Sequence, residues 1–292
     1  MNFVPPELLA HILGFVDPHD LVHNCRLVCK NWNQLIIENG SDVWKHKLQH
    51  SNSKSLSQFN GVERIRLKLP WYVCYQICLT DPFEKNLLRN SCGHWVPSYY
   101  PELDMLQFEH WDLLSDIRDS WIHRYPGGFD PFHQSADFDA DFCYRTCFAT
   151  HLELKKQQTI DLREYGVSRF ILDEVQPKII ASEWFSGTEN WPHIPGANPE
   201  YALKVSLLSS DRQSIIQQKE VLSSAEDWNE DEWKKVSLEF ENYGPNVRYV
   251  VFYHYAKEDP RNEGLGTKMA GAIIQVALPV LPDLPVELSN IK

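Results

Sequence analysis

Basic charge is what this 292-residue chain has least of: 28 Lys and Arg stand against 40 Asp and Glu, a formal net charge of −12. Binding to a nucleic-acid backbone needs clustered cations that displace condensed counterions. The most basic stretch, Arg64-Ile65-Arg66-Leu67-Lys68, is short and reads as one solvated helix face, so no nucleic-acid partner is expected. Long apolar runs are missing too. The longest weakly polar run, Met269 to Leu281, is interrupted by Gln275 and Pro279 and is far shorter than the ~20 residues that span a bilayer. The opening Met1-Asn2-Phe3-Val4-Pro5-Pro6-Glu7 has neither the basic end nor the cleavage site of a secretory signal. No membrane and no export are expected, which leaves the cytoplasm, with the nucleus also open.

Catalytic and metal-binding motifs are equally scarce. Seven cysteines form no disulfide framework, and Cys74/Cys78 and Cys143/Cys147 sit four apart rather than in the tighter pairs that favour zinc; reduced thiols are expected. The twelve histidines include no His-Glu-x-x-His, and neither a Gly-x-Ser-x-Gly elbow nor a P-loop occurs. Asp137, Asp139 and Asp141 alternate at period two but read as a solvated acidic loop. No catalytic residue, metal or cofactor is therefore expected. Trp184, Trp228 and Trp233 are expected to pack in or at the edge of a core.

What the chain does have is concentrated at its start. Leu8, Leu9, Ile12 and Leu13 recur at i, i+1, i+4, i+5, a stripe on one helix. Asp17 with Pro18 and Asp20 is a complete helix-start signal. Leu21, Cys25 and Val28 then follow at i, i+4, i+7, and Trp32, Leu35 and Ile36 continue the pattern. Three such short helices carry more apolar surface than they can bury among themselves.

The ordered set Val4-Pro5-Pro6-Glu7-Leu8-Leu9, Ile12-Leu13, Val16-Asp17-Pro18, Asp20-Leu21, Cys25-Arg26-Leu27-Val28-Cys29, Trp32 and Trp44 resembles an F-box. The resemblance implies a helical trio that docks on a Skp-type adaptor and, through it, on a cullin-RING ubiquitin ligase. Pro5, Leu8, Leu9, Ile12, Leu13, Leu21, Val28 and Trp32 are then the adaptor-contact set, with Leu8, Leu9, Ile12 and Trp32 facing outward.

A polar segment, Ser51 to Gly61, comes next, and Val62 to Leu79 suits one or two connecting helices. Beyond Asp81 the texture becomes strand-like: Tyr201, Leu203, Val205 and Leu207 alternate, as do Val236, Leu238 and Phe240. Val247 to Tyr253 reads as a strand buried on both faces, and Asn242-Tyr243-Gly244-Pro245-Asn246 as a hairpin connection into it. Regularly spaced strands without long helical patterns favour an antiparallel sandwich. The expected fold is α+β: a three-helix F-box over 1–48, a helical linker over 49–80, an antiparallel β-sandwich over 81–279 and a tail over 280–292.

Pro82-Phe83, Asn86-Leu87-Leu88-Arg89-Asn90, Cys92-Gly93, Cys147-Phe148, Ile160-Asp161-Leu162, Leu172-Asp173, Gln176-Pro177, Trp184-Phe185-Ser186-Gly187 and Tyr243-Gly244-Pro245-Asn246-Val247-Arg248 resemble the F-box-associated (FBA) domain. That family implies a β-sandwich whose best-known members bind the chitobiose core of N-glycans on misfolded glycoproteins. This chain departs by extra residues between about Trp95 and Ala140 and from Glu189 to Pro199. Where sugar-binding members carry a Tyr-Trp pair before the last strand, it has Asp259-Pro260-Arg261-Asn262-Glu263-Gly264-Leu265-Gly266, and no aromatic residue occurs after Tyr255. A surface of Arg261, Asn262 and Glu263 offers charge-assisted hydrogen bonds in place of ring stacking, and Trp191 and His193 are the candidates to replace the missing rings.

The expectation is a non-catalytic substrate receptor of a Skp/cullin/F-box ubiquitin ligase for a glycoprotein or protein target. Two alternatives stay open: a non-degradative, chaperone-like glycan or protein holder, and an acetyl-CoA-dependent transferase whose Arg261–Gly266 loop cradles a pyrophosphate ahead of a helix near Thr267.

Overall fold

The structure, a computed structural model, describes residues 4–38, 41–51, 53, 69–92, 108–116, 120–124, 146–150, 152–186, 200–224, 233–258 and 267–279. The chain divides into two compact units, one of residues 1–84, 162–178 and 276–292, the other of residues 85–161 and 179–275.

The first unit is helical: α1 (Pro6–Gly14), α2 (Pro18–His23), a 3-10 turn (Cys25–Leu27), α3 (Lys30–Ile37), α4 (Asp42–Gln49) and α5 (Trp71–Thr80). Prolines without an N–H start α1 and α2, where no partner is needed. The Asp17 carboxylate caps α2 by accepting from the backbone N–H of His19 at 2.8 Å and of Asp20 at 3.4 Å. Leu9, Ala10 and Leu13 of α1 are buried, as are Val43, Trp44 and Leu48 of α4, against which α1 packs. Gly14 sets how close the two helices come, because a Cβ there would lie 2.5 Å from Cβ of His46. The Trp44 indole N–H donates to the Ile36 carbonyl at 2.8 Å, tying α4 to α3. The Lys47 ammonium donates to the carbonyl of Val16. Gly166 (φ +85°) packs against Thr80, whose Oγ1 would be 2.1 Å from any Cβ. No helix among the described residues is long and apolar enough to cross a membrane.

The second unit is a β-sandwich. One sheet runs β1 (Asp112–Leu113), β4 (Glu153–Asp161), β9 (Tyr249–Lys257), β6 (Glu200–Leu208), β7 (Ile215–Ser224). The other runs β2 (Ser120–Arg124), β3 (Thr146–Thr150), β10 (Lys268–Val276), β5 (Ile179–Ser186), β8 (Lys234–Phe240). The pairings β1–β4, β4–β9, β9–β6, β6–β7, β2–β3, β3–β10 and β5–β8 are antiparallel. The period of two then sorts side chains: Leu154, Lys156, Gln158 and Ile160 of β4, Val250, Phe252, His254 and Ala256 of β9, and Tyr201, Leu203, Val205 and Leu207 of β6 are all buried.

Three expectations are corrected. The Leu21/Cys25/Val28 stripe is not one helix, since α2 stops at His23 and Val28 comes after a separate 3-10 turn, exposed. β9 is not buried on both faces: Val251, Tyr253 and Tyr255 point away from the core and are half-buried. The segment after Phe240 turns as its residues require, with Asn242, Gly244 and Asn246 all at positive φ, but it is not a hairpin. β8 and β9 belong to different sheets, and local turn chemistry says that a chain turns without saying which sheet it enters.

Candidate functional site

The proposed adaptor-contact residues divide by helix row. Leu9 and Leu13 face α4 and are buried, and Leu21 of α2 is fully buried; Leu9 therefore does not face outward as the sequence suggested. Its i, i+1, i+4, i+5 stripe covers two rows, and the Leu9/Leu13 row alone meets the core. The Leu8/Ile12 row faces solvent, with Leu8 51% and Ile12 50% exposed. Val28 is 63% exposed, Pro5 is exposed and Trp32 is half-buried. Phe15 and Leu27, which the stripe pattern does not include, are also exposed. Leu8, Ile12, Phe15, Leu27 and Val28 are large apolar side chains that the helical unit leaves in water, and such surface marks contact sites.

The proposed ligand residues Arg261, Asn262, Glu263, Trp191 and His193 lie outside the described residues, as do Trp228 and the Asp137/Asp139/Asp141 run. Just beyond the Arg261–Gly266 loop, strand β10 begins at Lys268. A pyrophosphate cradle draws on a helix N-terminus at that point, and a strand has none. Trp184 and Trp233 are half-buried, and the Lys235 ammonium lies 5.8 Å from the Trp184 ring centroid.

The sandwich core holds a polar cluster that hydropathy alone does not reveal. The Glu183 carboxylate on β5 accepts from His254 Nδ1 on β9 at 2.7 Å and from the Tyr201 hydroxyl on β6 at 2.8 Å, all three fully buried. Trp111 lies flat on the His254 ring, centroids 5.0 Å apart at 8°. The β4–β9 register sets Lys156 directly beside His254. The Lys156 amine sits 3.3 Å and 3.1 Å from the ring centroids of Trp111 and Phe148 and has no hydrogen-bond partner. Burial pulls Lys156 well below the ordinary lysine range, with Glu183 opposing. Burial also pulls His254 down to about 4, Glu183 again opposing and Lys156 adding to the fall. No solvent reaches these groups, so their work is to join the two sheets.

A second cluster lies in the helical unit. His46 of α4 and His50, the residue that caps its C-terminus, meet His11 of α1, and one ring nitrogen from each lies within 4.8 Å of the others. The sequence led to no expectation of a metal site, since the pair His46/His50 has the i, i+4 spacing without the Glu of His-Glu-x-x-His. That spacing is the signal in the sequence; the third histidine comes only from the packing of α1 on α4.

Comparison with known proteins decides the family. A family model described as F-box associated region matches residues 78–276, and one described as F-box-like matches residues 1–50. The chain belongs to the F-box associated family. It is 27% identical over 259 residues to F-box only protein 6 of Rattus norvegicus, covering 88% of this chain and 80% of that protein. It is 27% identical over 266 residues to F-box only protein 17 of Homo sapiens (88% and 85% covered) and 30% over 260 residues to F-box only protein 2 of Bos taurus (87% and 76% covered). Among solved structures it is similar to that of TmCBM61 in complex with β-1,4-galactotriose, at a TM-score of 0.38 and 12% identity over 66% of this chain and 99% of that one.

Several stretches through which the chain resembles the F-box associated domain hold the sandwich together. Asn86 Nδ2 donates to the Ala272 carbonyl at 2.9 Å while its Oδ1 accepts from Ile274 N–H at 3.1 Å, and Leu87 N–H donates to the Ile274 carbonyl at 2.7 Å. Asn86-Leu87 thus satisfies backbone groups of β10. Gln158 does the same for Arg89, accepting from its N–H at 2.9 Å and donating to its carbonyl at 3.0 Å. Phe185 stacks on Tyr201 with centroids 4.1 Å apart.

Proposed function

We propose that this chain is the non-catalytic substrate-recognition subunit of a Skp/cullin/F-box ubiquitin ligase. Its helical module docks on a Skp-type adaptor, and its β-sandwich holds a protein or glycoprotein target for ubiquitination and degradation, in the cytoplasm or nucleus. The observation that carries the reading is the Leu8/Ile12 row: a helix inside the F-box-like match buries one apolar row and leaves its neighbour half in water. Burying such side chains contributes about 25 cal/mol per Å² of apolar area, and a handful of them offsets the several kcal/mol or more of association entropy. Co-expression of the full chain with a Skp-type adaptor tests it. Leu8→Ala/Ile12→Ala is expected to abolish co-purification while the far-ultraviolet circular dichroism stays unchanged, and undiminished co-purification refutes the interface.

For the target, the Arg261/Asn262/Glu263 loop favours a ligand more polar or more peptide-like than chitobiose, bound by charge-assisted hydrogen bonds that weaken with added salt. A glycan array on the full chain, beside salt-dependent titration of a chitobiose-bearing glycoprotein, separates the two. Tight, salt-insensitive glycan binding that survives replacement of all three residues by Ala overturns this part of the reading.

A further inference from the structure

We propose that His11, His46 and His50 form a binding site for a divalent transition-metal ion, zinc foremost, that braces α1 against α4. The site is built into the helix packing. His46 lies in the last turn of α4 and His50 caps that helix, its N–H donating to the His46 carbonyl at 3.0 Å, and residues four apart there lie one above the other. Gly14 lets α1 approach to the point where a Cβ would touch the His46 side chain, and this brings His11, one turn earlier on α1, over the same face. The His11 and His46 rings meet edge to face with centroids 4.8 Å apart. Phe15 stacks on His50 at 4.6 Å and lies edge-on to His11 at 5.1 Å, which keeps both rings on the side of His46.

The donor chemistry selects the ion. Three imidazoles suit zinc, copper(II), nickel or cobalt, whereas calcium and magnesium require oxygen ligands. Zinc binds imidazole nitrogen at about 2.0–2.1 Å with tetrahedral geometry, which puts ligand nitrogens about 3.4 Å apart. Nitrogens already within 4.8 Å of one another reach that spacing by side-chain rotation shared among three residues. The exposed side of His50 leaves the fourth position for water. The neighbouring pair His19/His23 on α2 has the same i, i+4 spacing and stacked rings at 4.3 Å, but no third histidine joins it in the only such cluster among the described residues.

The test is titration of the untagged full chain with zinc chloride in competition with a chromophoric chelator. One zinc per chain is expected in the micromolar range or tighter. His11→Gln and His50→Gln are each expected to weaken it at least tenfold, and His19→Gln to leave it within twofold. Zinc is further expected to raise the melting temperature of the parent chain and not that of the two site variants. Cobalt(II) supplies an independent reading: visible d–d bands without a thiolate charge-transfer band support a three-histidine site. A strong thiolate band, the absence of stoichiometric binding, or full affinity in the His11→Gln/His50→Gln double variant overturns the proposal.

Discussion

Glu183 of β5 reaches across the sandwich to His254 of β9, its two carboxylate oxygens 2.7 and 2.9 Å from the imidazole Nδ1. The two strands lie in opposite sheets, so this pair joins them through the core, and Tyr201 adds a third strand by donating to the same carboxylate. Removing Glu183 leaves the His254 and Tyr201 donors buried and unsatisfied at about 1–3 kcal/mol each, about 2–6 kcal/mol together. Glu183→Ala is expected to lower stability by that amount in urea unfolding followed by tryptophan fluorescence. Glu183→Gln, whose amide oxygen still accepts from one donor, is expected to lose less. A loss under about 1 kcal/mol for the alanine variant contradicts the role.

His254 makes the sandwich sensitive to acid, and the direction comes from its surroundings. Facing Glu183, Tyr201 and Lys156 in the core, its imidazole titrates at about 4, below the ordinary 6.5. Between those values the unfolded chain takes up a proton that the folded chain does not. Stability therefore falls as pH drops from 6.5 towards 4, and this contribution is constant outside that window, totalling about 3 kcal/mol at 1.36 kcal/mol per pKa unit. His254→Gln retains a donor towards Glu183 and does not titrate. The difference in unfolding free energy between parent and variant is expected to shrink or reverse across pH 6.5 to 4; a pH-independent difference contradicts the prediction.

Lys156 contributes a buried amine without a hydrogen bond, pulled far down by desolvation. Met is similar in length, packs well beside the Trp111 and Phe148 rings and needs no partner. Replacing a buried polar group that lacks a partner by apolar volume of similar shape is commonly neutral or stabilising, so Lys156→Met is expected to leave stability unchanged or raise it by about 1–2 kcal/mol. A loss larger than about 2 kcal/mol shows instead that Lys156 is charged and serves as the counterion of Glu183.

These groups also show where the sequence was readable. Asp17-Pro18 marked the start of α2 because capping is local chemistry, and β6 and β8 were visible because their apolar residues alternate at period two. β4 was not: Lys155-Lys156-Gln157-Gln158 offers no apolar alternation, yet Lys156 and Gln158 are buried because Trp111, Phe148 and the Arg89 backbone receive them. Such partners lie far along the chain and are brought together only by the fold. The same holds for His11 beside His46 and His50. On α1, periodicity located the helix but could not choose which of two adjacent apolar rows meets α4, a choice made by the packing at Gly14.

That choice separates stability from binding within one helix. Leu13 is 1% exposed and Leu8 is 51% exposed, so truncating each should be felt in a different measurement. Leu13→Ala opens a cavity against α4 and is expected to cost about 2–5 kcal/mol, lowering the melting temperature of the helical unit and the yield of soluble chain. Leu8→Ala/Ile12→Ala removes half-exposed atoms and is expected to change stability by less than about 1 kcal/mol, because little packing is lost. Against a Skp-type adaptor the order reverses: at a temperature where both variants are folded, Leu13→Ala should bind nearly as the parent does, and Leu8→Ala/Ile12→Ala should lose at least a hundredfold, from about 1.4 kcal/mol per side chain. If both variants lose affinity in proportion to their stability, the exposed row is not the contact surface and the helical module docks through another face.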